Sequence, residues 1–303
     1  MKNKTLIFVL LFFTTTGFAQ LKLAGVEYTN FAKAKFTEGE DDEESSFQEI
    51  TAFFNLPMKL KNEKTTIING VSYTQVRSTL YNSPFFNGDE VDKNLHSISY
   101  ALTLVQKLNS KWTALVRLRP TLASDFEDDL NKDDFLFLGT AMATRSIGKH
   151  MVVGGGIVYT TQTGEPLFLP VVKFQFKNRK NNLDILLPSH VKFLHGIGAR
   201  QKISIGAKAM LNGGNFGVTI NEFAAADPAT IDKLIYSRTN VGLLASIRMY
   251  RVVNLELFGG YSVNRKYKFE DTDIDDPFEY DSDNGPFFSV GISLVPKRKG
   301  AGD

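Results

Sequence analysis

The sequence of 303 residues lacks three common features: cysteine, helical apolar spacing and any long apolar run beyond its N-terminus. Without cysteine the protein has no disulfide framework, and no lipid anchor can be attached to a cysteine behind an export signal. Apolar spacing of i, i+3, i+4 and i+7 is almost absent, and 226–234 is the best candidate for a short helix. A fold built mainly from helices is therefore not expected.

The one apolar run that resembles a membrane helix is short. The nine-residue run 5–13 follows Lys2 and Lys4 and precedes a small-residue segment that ends at Ala19. A membrane helix needs about 20 apolar residues. The pattern is typical of a secretory signal peptide over 1–19, cleaved after Ala19. A buried N-terminal strand or helix is the alternative.

Charge of one sign is also lacking. Removing Lys2 and Lys4 with the signal peptide leaves 33 Lys+Arg against 33 Asp+Glu in the mature chain. A neutral chain has no global field that would attract nucleic acid. We therefore expect no nucleic-acid partner.

What the sequence has instead is alternation. In ISYALTLVQKLNSKWTALVRLRP, residues 98–120, apolar side chains occupy every second position on both sides of a short polar turn. This period of two predicts a β-hairpin with one apolar and one polar face, and Arg117 and Arg119 lie on the polar face. Thirteen such segments recur, each about 11–16 residues long, whereas strands in soluble proteins usually have about 5–6. A tilted strand that crosses a bilayer needs about 9–11, so the lengths favour a membrane barrel.

The connections between these segments alternate in length and charge. The long connections, together with Glu165 of a smaller loop, contain 27 of the 33 carboxylates, while lysine and arginine flank the short turns. Outer-membrane barrels have short periplasmic turns and long extracellular loops. An up-and-down barrel would collect the acidic loops at one end and the basic turns at the other.

We therefore predict an all-β fold, a transmembrane up-and-down antiparallel β-barrel over residues 20–296, with a basic C-terminal tail at 297–303. Thirteen strands conflict with the even number of bacterial barrels. Pro188, which cannot donate to a ladder, suggests a bulge or break within 167–212. About twelve strands are expected, with ten or fourteen possible. A soluble periplasmic β-sandwich is the rival fold.

The chain resembles the outer-membrane β-barrel proteins of Gram-negative bacteria, and most of all their uncharacterised families. The resemblance rests on the leader ending in GFAQ, the amphipathic strands, the alternating loops and the final strand PFFSVGISLV. It implies an outer-membrane location, contact with membrane lipid and lipopolysaccharide, and insertion by the barrel-assembly machinery. Many such barrels end on an aromatic residue that this machinery recognises, whereas this chain ends SLVPKRKGAGD.

No motif for catalysis or a cofactor is present. The sequence has no G-x-S-x-G, S-x-x-K or H-E-x-x-H. Ser189 and His190 are adjacent, but neighbours in a strand point apart, and His190 and His195 would lie on opposite faces. The acidic run 270–281 lacks the glycine and glutamate that an EF-hand requires. We expect neither an enzyme nor a bound cofactor or metal; a lipid-modifying barrel enzyme and loose cation binding by acidic loops are the alternatives.

The polar strand faces define the candidate site. Nine charged residues are expected to face the lumen: Arg117, Arg119, Lys173, Lys202, Lys208, Arg238, Arg248, Glu49 and Glu256. A positive lumen favours anions. The sequence thus predicts a passive pore for small, anionic solutes. The alternative is a non-conducting structural or binding barrel, whose acidic extracellular loops contact cations, lipopolysaccharide or a partner.

Overall fold

The computed structural model describes residues 21–37, 43–82, 90–161, 166–220, 231–250, 252–270 and 278–296, and these form one antiparallel sheet that closes on itself. The expected signal peptide and basic tail lie outside the described residues. The strands are β1 Ala24–Lys35, β2 Glu44–Lys59, β3 Thr65–Tyr81, β4 Glu90–Lys107, β5 Trp112–Ser124, β6 Phe135–Ile147, β7 Met151–Thr160, β8 Leu167–Lys177, β9 Asn181–Leu187, β10 His190–Ile197, β11 Ile203–Ile220, β12 Ile231–Arg248, β13 Val253–Glu270, β14 Phe278–Ser282 and β15 Gly285–Leu294. In the described ranges, no helix is long and apolar enough to cross a membrane.

The barrel has fourteen strand positions. The sheet closes where β1 pairs with β15, from Ala24 opposite Leu294 to Phe31 opposite Phe287. Both β14 and β15 pair with β13, one beyond the other, and together they occupy the fourteenth position. This even number lies at the upper limit of the predicted range. The difference from twelve arises largely at 181–197, where two short strands flank a turn at Pro188 and the sequence pattern had indicated one.

The outer face of the barrel is apolar. On β4, Ile98 and Leu104 are exposed, whereas the intervening Ser99 and Thr103 are buried. The same alternation runs through β2, β5, β11 and β12. Because the closed sheet pairs backbone groups from strand to strand, such a wall is compatible with hydrocarbon. The chain is a closed antiparallel β-barrel with an apolar, lipid-compatible outer face, and the closure excludes the soluble β-sandwich.

The wall is uneven in height at the end opposite the short turns. β9 has 7 residues and β10 has 8, whereas β11, β12 and β13 have 18 each. Above the short strands, β11 leans across the barrel to β5, where the Asp125 N–H donates to the Gly217 carbonyl at 3.0 Å. Gly217 permits this approach, since a Cβ there would lie 1.9 Å from Asp134 Oδ1.

Packed side chains fill the outer half of the interior. The buried cluster is largely aromatic and comes from strands on opposite sides of the barrel; its members include Phe31, Phe36, Phe47, Val76, Leu80, Leu95, Phe216, Leu234, Tyr236, Tyr267, Phe269 and Phe287. Phe47 stacks on Tyr267 with ring centroids 5.3 Å apart. This aromatic core ties β1 and β2 to β11, β12 and β13.

Candidate functional site

A buried ion pair anchors the aromatic core. Arg238, 2% exposed, forms an ion pair with Glu49 across the barrel. Its Nε donates to Asn212 Oδ1 at 2.8 Å, and its guanidinium lies 3.5 Å from the centroid of Phe31. The Tyr236 hydroxyl donates to Glu49 Oε1 at 3.0 Å. The ion pair is thus held by a local network, although Arg238 Nη1 is buried without a hydrogen-bond partner among the described residues.

A small cavity lies beside this network. Its volume is about 180 Å³, and it is lined by Glu27, Thr29, Glu49, Thr51, Phe53, Met210, Asn212, Asn240, Phe258, Phe287 and Ser289. The Ser289 hydroxyl donates to Glu27 Oε1 at 3.1 Å. The lining thus offers an apolar wall of aromatic rings and methionine opposite carboxylates, hydroxyls and amides.

Nearer the short turns, ion pairs line one side of the interior. Lys22 pairs with Glu256, and Lys173 pairs with Asp184. Ion pairs of this kind neutralise the charges that the sequence pattern placed inside. That side of the interior therefore contributes little net field from these four residues.

Two lysines on the same side have carboxylates nearby but form no ion pair with them. Lys192 of β10 lies directly opposite Lys208 of β11 on one side and directly opposite Asp184 of β9 on the other. Among the described residues, neither forms an ion pair within 4.0 Å, and Lys208 Nζ lies 4.8 Å from the ring centroid of Phe258. Like charges in directly opposed positions destabilise a sheet.

Two arginines on β5 are also without carboxylates. Arg119 Nη2 donates to Ser99 Oγ at 3.2 Å, and Arg119 Nε is buried without a partner in the described structure. Arg117 is exposed to the interior space. No described carboxylate lies within ion-pair distance of either guanidinium. The pair therefore presents an uncompensated positive charge to whatever occupies the interior.

The structure separates the nine predicted residues into groups. Arg238 and Glu49 meet within the aromatic core, Lys173 and Glu256 acquire partners, and Arg117, Arg119 and Lys208 remain free of carboxylates within 4.0 Å among the described residues. Lys202 and Arg248 lie together and exposed at the rim of the short turns, where the Arg248 N–H donates to the Lys202 carbonyl at 2.7 Å.

Sequence reasoning missed several interior charges, among them Lys22, Glu27, Asp184, Lys192 and the 1% exposed Arg265. An alternation signal was present for Glu27, Asp184 and Lys192. Asp184 lies between Leu183 and Ile185, and Lys192 lies between Val191 and Phe193. Pro188 interrupts the alternation between these two positions, so the inward-facing residues could not be assigned across it. Glu27 lies on the polar face of β1, between Val26 and Tyr28. Lys22 lies before β1 and carried no alternation signal.

The histidines do not form a metal site. His190 points inward, with Nε2 3.8 Å from Asp184 Oδ2, whereas the His195 ring contacts Asn181 Oδ1 at 2.7 Å on the outer face. The described residues contain no cluster of three potential ligands. Ser189 Oγ does approach His190 Nδ1, at 3.3 Å, because Ser189 belongs to a turn and not to a strand. The 3.8 Å separation from Asp184 is too long for a hydrogen bond, so the three residues form no hydrogen-bonded relay.

Comparisons with solved structures find distant barrels. The translocator domain of the autotransporter NalP from Neisseria meningitidis is 13% identical, with a TM-score of 0.40, over 92% of this chain and 90% of that chain. An outer-membrane channel from Pseudomonas putida F1 is 10% identical, with a TM-score of 0.44, over 91% and 97%. The Pseudomonas putida toluene transporter TodX is 10% identical, with a TM-score of 0.37, over 89% and 88%. These likenesses are too distant to carry an argument about function.

Sequence comparison gives the family. No protein with curated function matches the chain. A family profile described as a domain of unknown function, DUF6268, matches residues 15–295, nearly the whole length. The chain belongs to the DUF6268 family.

Proposed function

We propose that this protein is a solute channel of the outer membrane whose interior favours anions. The observation that carries the proposal is the pair Arg117 and Arg119, which faces the interior without a carboxylate within 4.0 Å among the described residues. Lys192 and Lys208 add positive charge, and the carboxylate of Glu27, which accepts from Ser289, has no cation within 4.0 Å among the described residues. Charged side chains along a water-filled passage select ions of the opposite sign.

The test is the reversal potential of purified, refolded protein in a planar bilayer under a KCl gradient. We expect anion preference, and we expect R117Q/R119Q to lower the anion-to-cation permeability ratio by about twofold or more. R145Q is the matched control, because Arg145 lies on the outer face near Trp112. A conducting protein with equal selectivity in wild type and R117Q/R119Q would contradict the anion proposal.

A second candidate is supported by the aromatic core. Because packed side chains fill the outer half of the interior, a barrel that does not conduct and instead binds at its surface is the alternative function. Acidic extracellular segments would then contact divalent cations, lipopolysaccharide or a partner. Deletion of 271–277, which lies outside the described residues, should then reduce binding to lipopolysaccharide vesicles and leave barrel stability unchanged. Conductance in the bilayer would count against this candidate.

Export, assembly and the absence of enzyme activity belong to the same proposal. Cleavage after Ala19 predicts Gln20 as the first residue of the mature protein, which N-terminal sequencing would reveal. The barrel-assembly machinery would insert the chain. S189A and H190Q are expected to leave lipid turnover by outer-membrane vesicles unchanged, and a loss of turnover would instead support a lipid-modifying enzyme.

A further inference from the structure

The wall of the barrel has a gap above its two shortest strands. β9 pairs with β8 only up to Leu187 opposite Val172, and β10 pairs with β11 only up to His190 opposite Met210. Beyond these pairs, 167–171 of β8 and 211–215 of β11 continue without β9 and β10 between them. We call this gap, with the turn 187–190 at its base, the notch.

The notch narrows toward its top. The Asn215 side-chain amide donates to the Thr161 carbonyl at 3.2 Å, which brings the end of β7 against β11. Higher still, β11 reaches β5 at Gly217 and Ser124. Among the described residues, the gap is bounded by β8, by β11, by the turn 187–190 and by the contact between Asn215 and Thr161.

Backbone groups along both edges of the notch lack strand partners. In β8 the Lys177 N–H faces β7, since it donates to the His150 carbonyl; alternation then turns the backbone of Phe168 and Pro170 toward the notch. Proline, which has no N–H, is suited to such an edge. In β11 the Leu211 N–H donates to the Ser189 carbonyl, so that Gly213 faces the same gap. Among the described residues, no backbone group bonds to these three positions on that side.

Aromatic side chains place the notch at the outer membrane interface. Outward-facing Phe137, Tyr159 and Phe168 contact one another with centroids 6.1 and 5.0 Å apart, as in an interfacial girdle. Phe168 is 68% exposed, and Leu187 and Leu211 are exposed on the other flanks. Unpaired backbone at membrane depth is tolerated only where it lines a water-filled or otherwise occupied space.

The inner side of the notch leads to the cavity and to positive charge. Met210 and Asn212, on the β11 edge, line the 180 Å³ cavity. The next inward-facing residue below Met210 is Lys208, and the next below His190 is Lys192. These are the two directly opposed lysines. An anion between the two ammonium groups would remove their mutual repulsion.

We propose that the notch is a lateral binding site for a small organic anion with an apolar body, taken up from the outer leaflet. Its anionic head lies between Lys192 and Lys208, and its apolar body lies against Met210, Leu187 and Leu211. The sideways route bypasses the aromatic core that fills the outer half of the interior. Passage onward to the periplasm rests on the proposed channel function, whereas binding in the notch does not.

Access through the wall is tested with single cysteines, which the cysteine-free chain allows. M210C lies at the notch, and M142C is the matched control, inward-facing on β6 between two fully paired neighbours. In lipid vesicles, we expect N-pyrenylmaleimide to label M210C about tenfold faster than M142C, because the reagent dissolves in the bilayer. Equal rates at the two sites would overturn the lateral route, and a boiling-dependent gel shift verifies that each variant is folded.

The lysine pair is tested by binding of 11-(dansylamino)undecanoic acid and its methyl ester to protein in lipid nanodiscs, followed by dansyl fluorescence. K192Q/K208Q should weaken binding of the acid about tenfold and change binding of the ester less than about twofold. K202Q, at the rim, is the charge-matched control and should leave both unchanged. Equal affinity of wild type for acid and ester would overturn the anionic head. Binding without bilayer conductance would reject the channel and retain the site.

Discussion

At the scale of single residues, this barrel is organised by where its interior charges find partners. Arg238 and Glu49 lie 189 residues apart in sequence and meet only because β2 and β12 face each other across the interior. The alternation of each strand predicts that both side chains point inward, but no local pattern predicts that they meet. Arg117 and Arg119 follow the same alternation and find no carboxylate, which is why they carry the proposed selectivity.

The Arg238–Glu49 pair leads to a prediction about stability. R238M leaves Glu49 inside the barrel without its cation, and loss of one partner of a buried pair costs about 3–5 kcal/mol. We expect R238M to lower the free energy of unfolding in lipid vesicles by about that amount, measured by urea titration with tryptophan fluorescence.

Two further variants serve as comparisons for that measurement. R238M/E49L removes both charges and should recover much of the loss, because no unpaired charge remains. R248M, at the exposed rim, should change stability by less than about 0.5 kcal/mol. Equal destabilisation by R238M and R248M would show that the ion pair contributes nothing particular to the core.

At the scale of strands, small residues determine how closely neighbouring strands can approach where the wall bends. Gly156 on β7 faces inward, and a Cβ there would lie 2.1 Å from the backbone oxygen of Ala141 on β6. The neighbouring Gly155 has its nearest atom, the Val171 oxygen, at 3.5 Å, an ordinary contact distance. The sequence GGG does not distinguish its three glycines from one another. Only the curvature of the sheet does so.

This difference predicts opposite outcomes for two adjacent substitutions. G156A must push β6 and β7 apart, and overpacking of this kind costs about 1–3 kcal/mol. G155A should be tolerated within about 0.5 kcal/mol. Urea unfolding of both variants, followed by the gel shift, measures the contrast. Equal stability of G156A and G155A would mean that the sheet relaxes freely at this position.

The hairpin β3–β4 extends beyond the apolar band, and its outer ion pair predicts a pH dependence. The side-chain hydrogen bond from Arg77 lowers the pKa of Asp92, and the Thr79 hydroxyl adds a bond at 2.5 Å. Because the folded pKa lies below the unfolded value of about 3.9, the stabilisation is present above that pH and is lost as the pH falls through the folded pKa.

Carboxyl NMR of Asp92 measures this directly. The titration midpoint should lie below about 3.9 in wild type and should rise in R77M, because the cation that favours the ionised form is removed. R248M, far along the barrel, should leave the midpoint where it is. An Asp92 midpoint that is identical in wild type and R77M would contradict the assignment of the shift to Arg77.

At the scale of the whole molecule, the lipid is part of the fold. Leu243, 76% exposed, stands in an outward-facing run with Val241 and Ile247, on the wall of a closed sheet. A charge on the lipid face costs about 2–4 kcal/mol at the bilayer midplane and about 0–1 near the interfaces. We expect L243R to unfold at lower urea than wild type and S237R, nearer the outer end of the same strand, to resemble wild type.

The fold class, a barrel whose outer face contacts lipid, can also be tested directly. Folded protein in mild detergent should migrate differently on a gel before and after boiling, and it should aggregate when the detergent is removed without lipid. Monomeric, folded protein in plain buffer would contradict the lipid-facing wall. Similar stability of L243R and S237R in vesicles would contradict its placement at Leu243.

The architecture can be read from local patterns, because a closed membrane sheet imposes a period of two on its strands and a contrast between short and long connections. The alternation from Ile98 to Leu104, and that through β11, can be recognised without knowing which strand lies beside it. The features that depend on register emerge only in the folded chain: which charges meet, that 181–197 forms two strands, and that the shortness of these strands leaves a notch. Register joins residues far apart in sequence, and a pattern that repeats every two residues carries no information about which distant strand faces which.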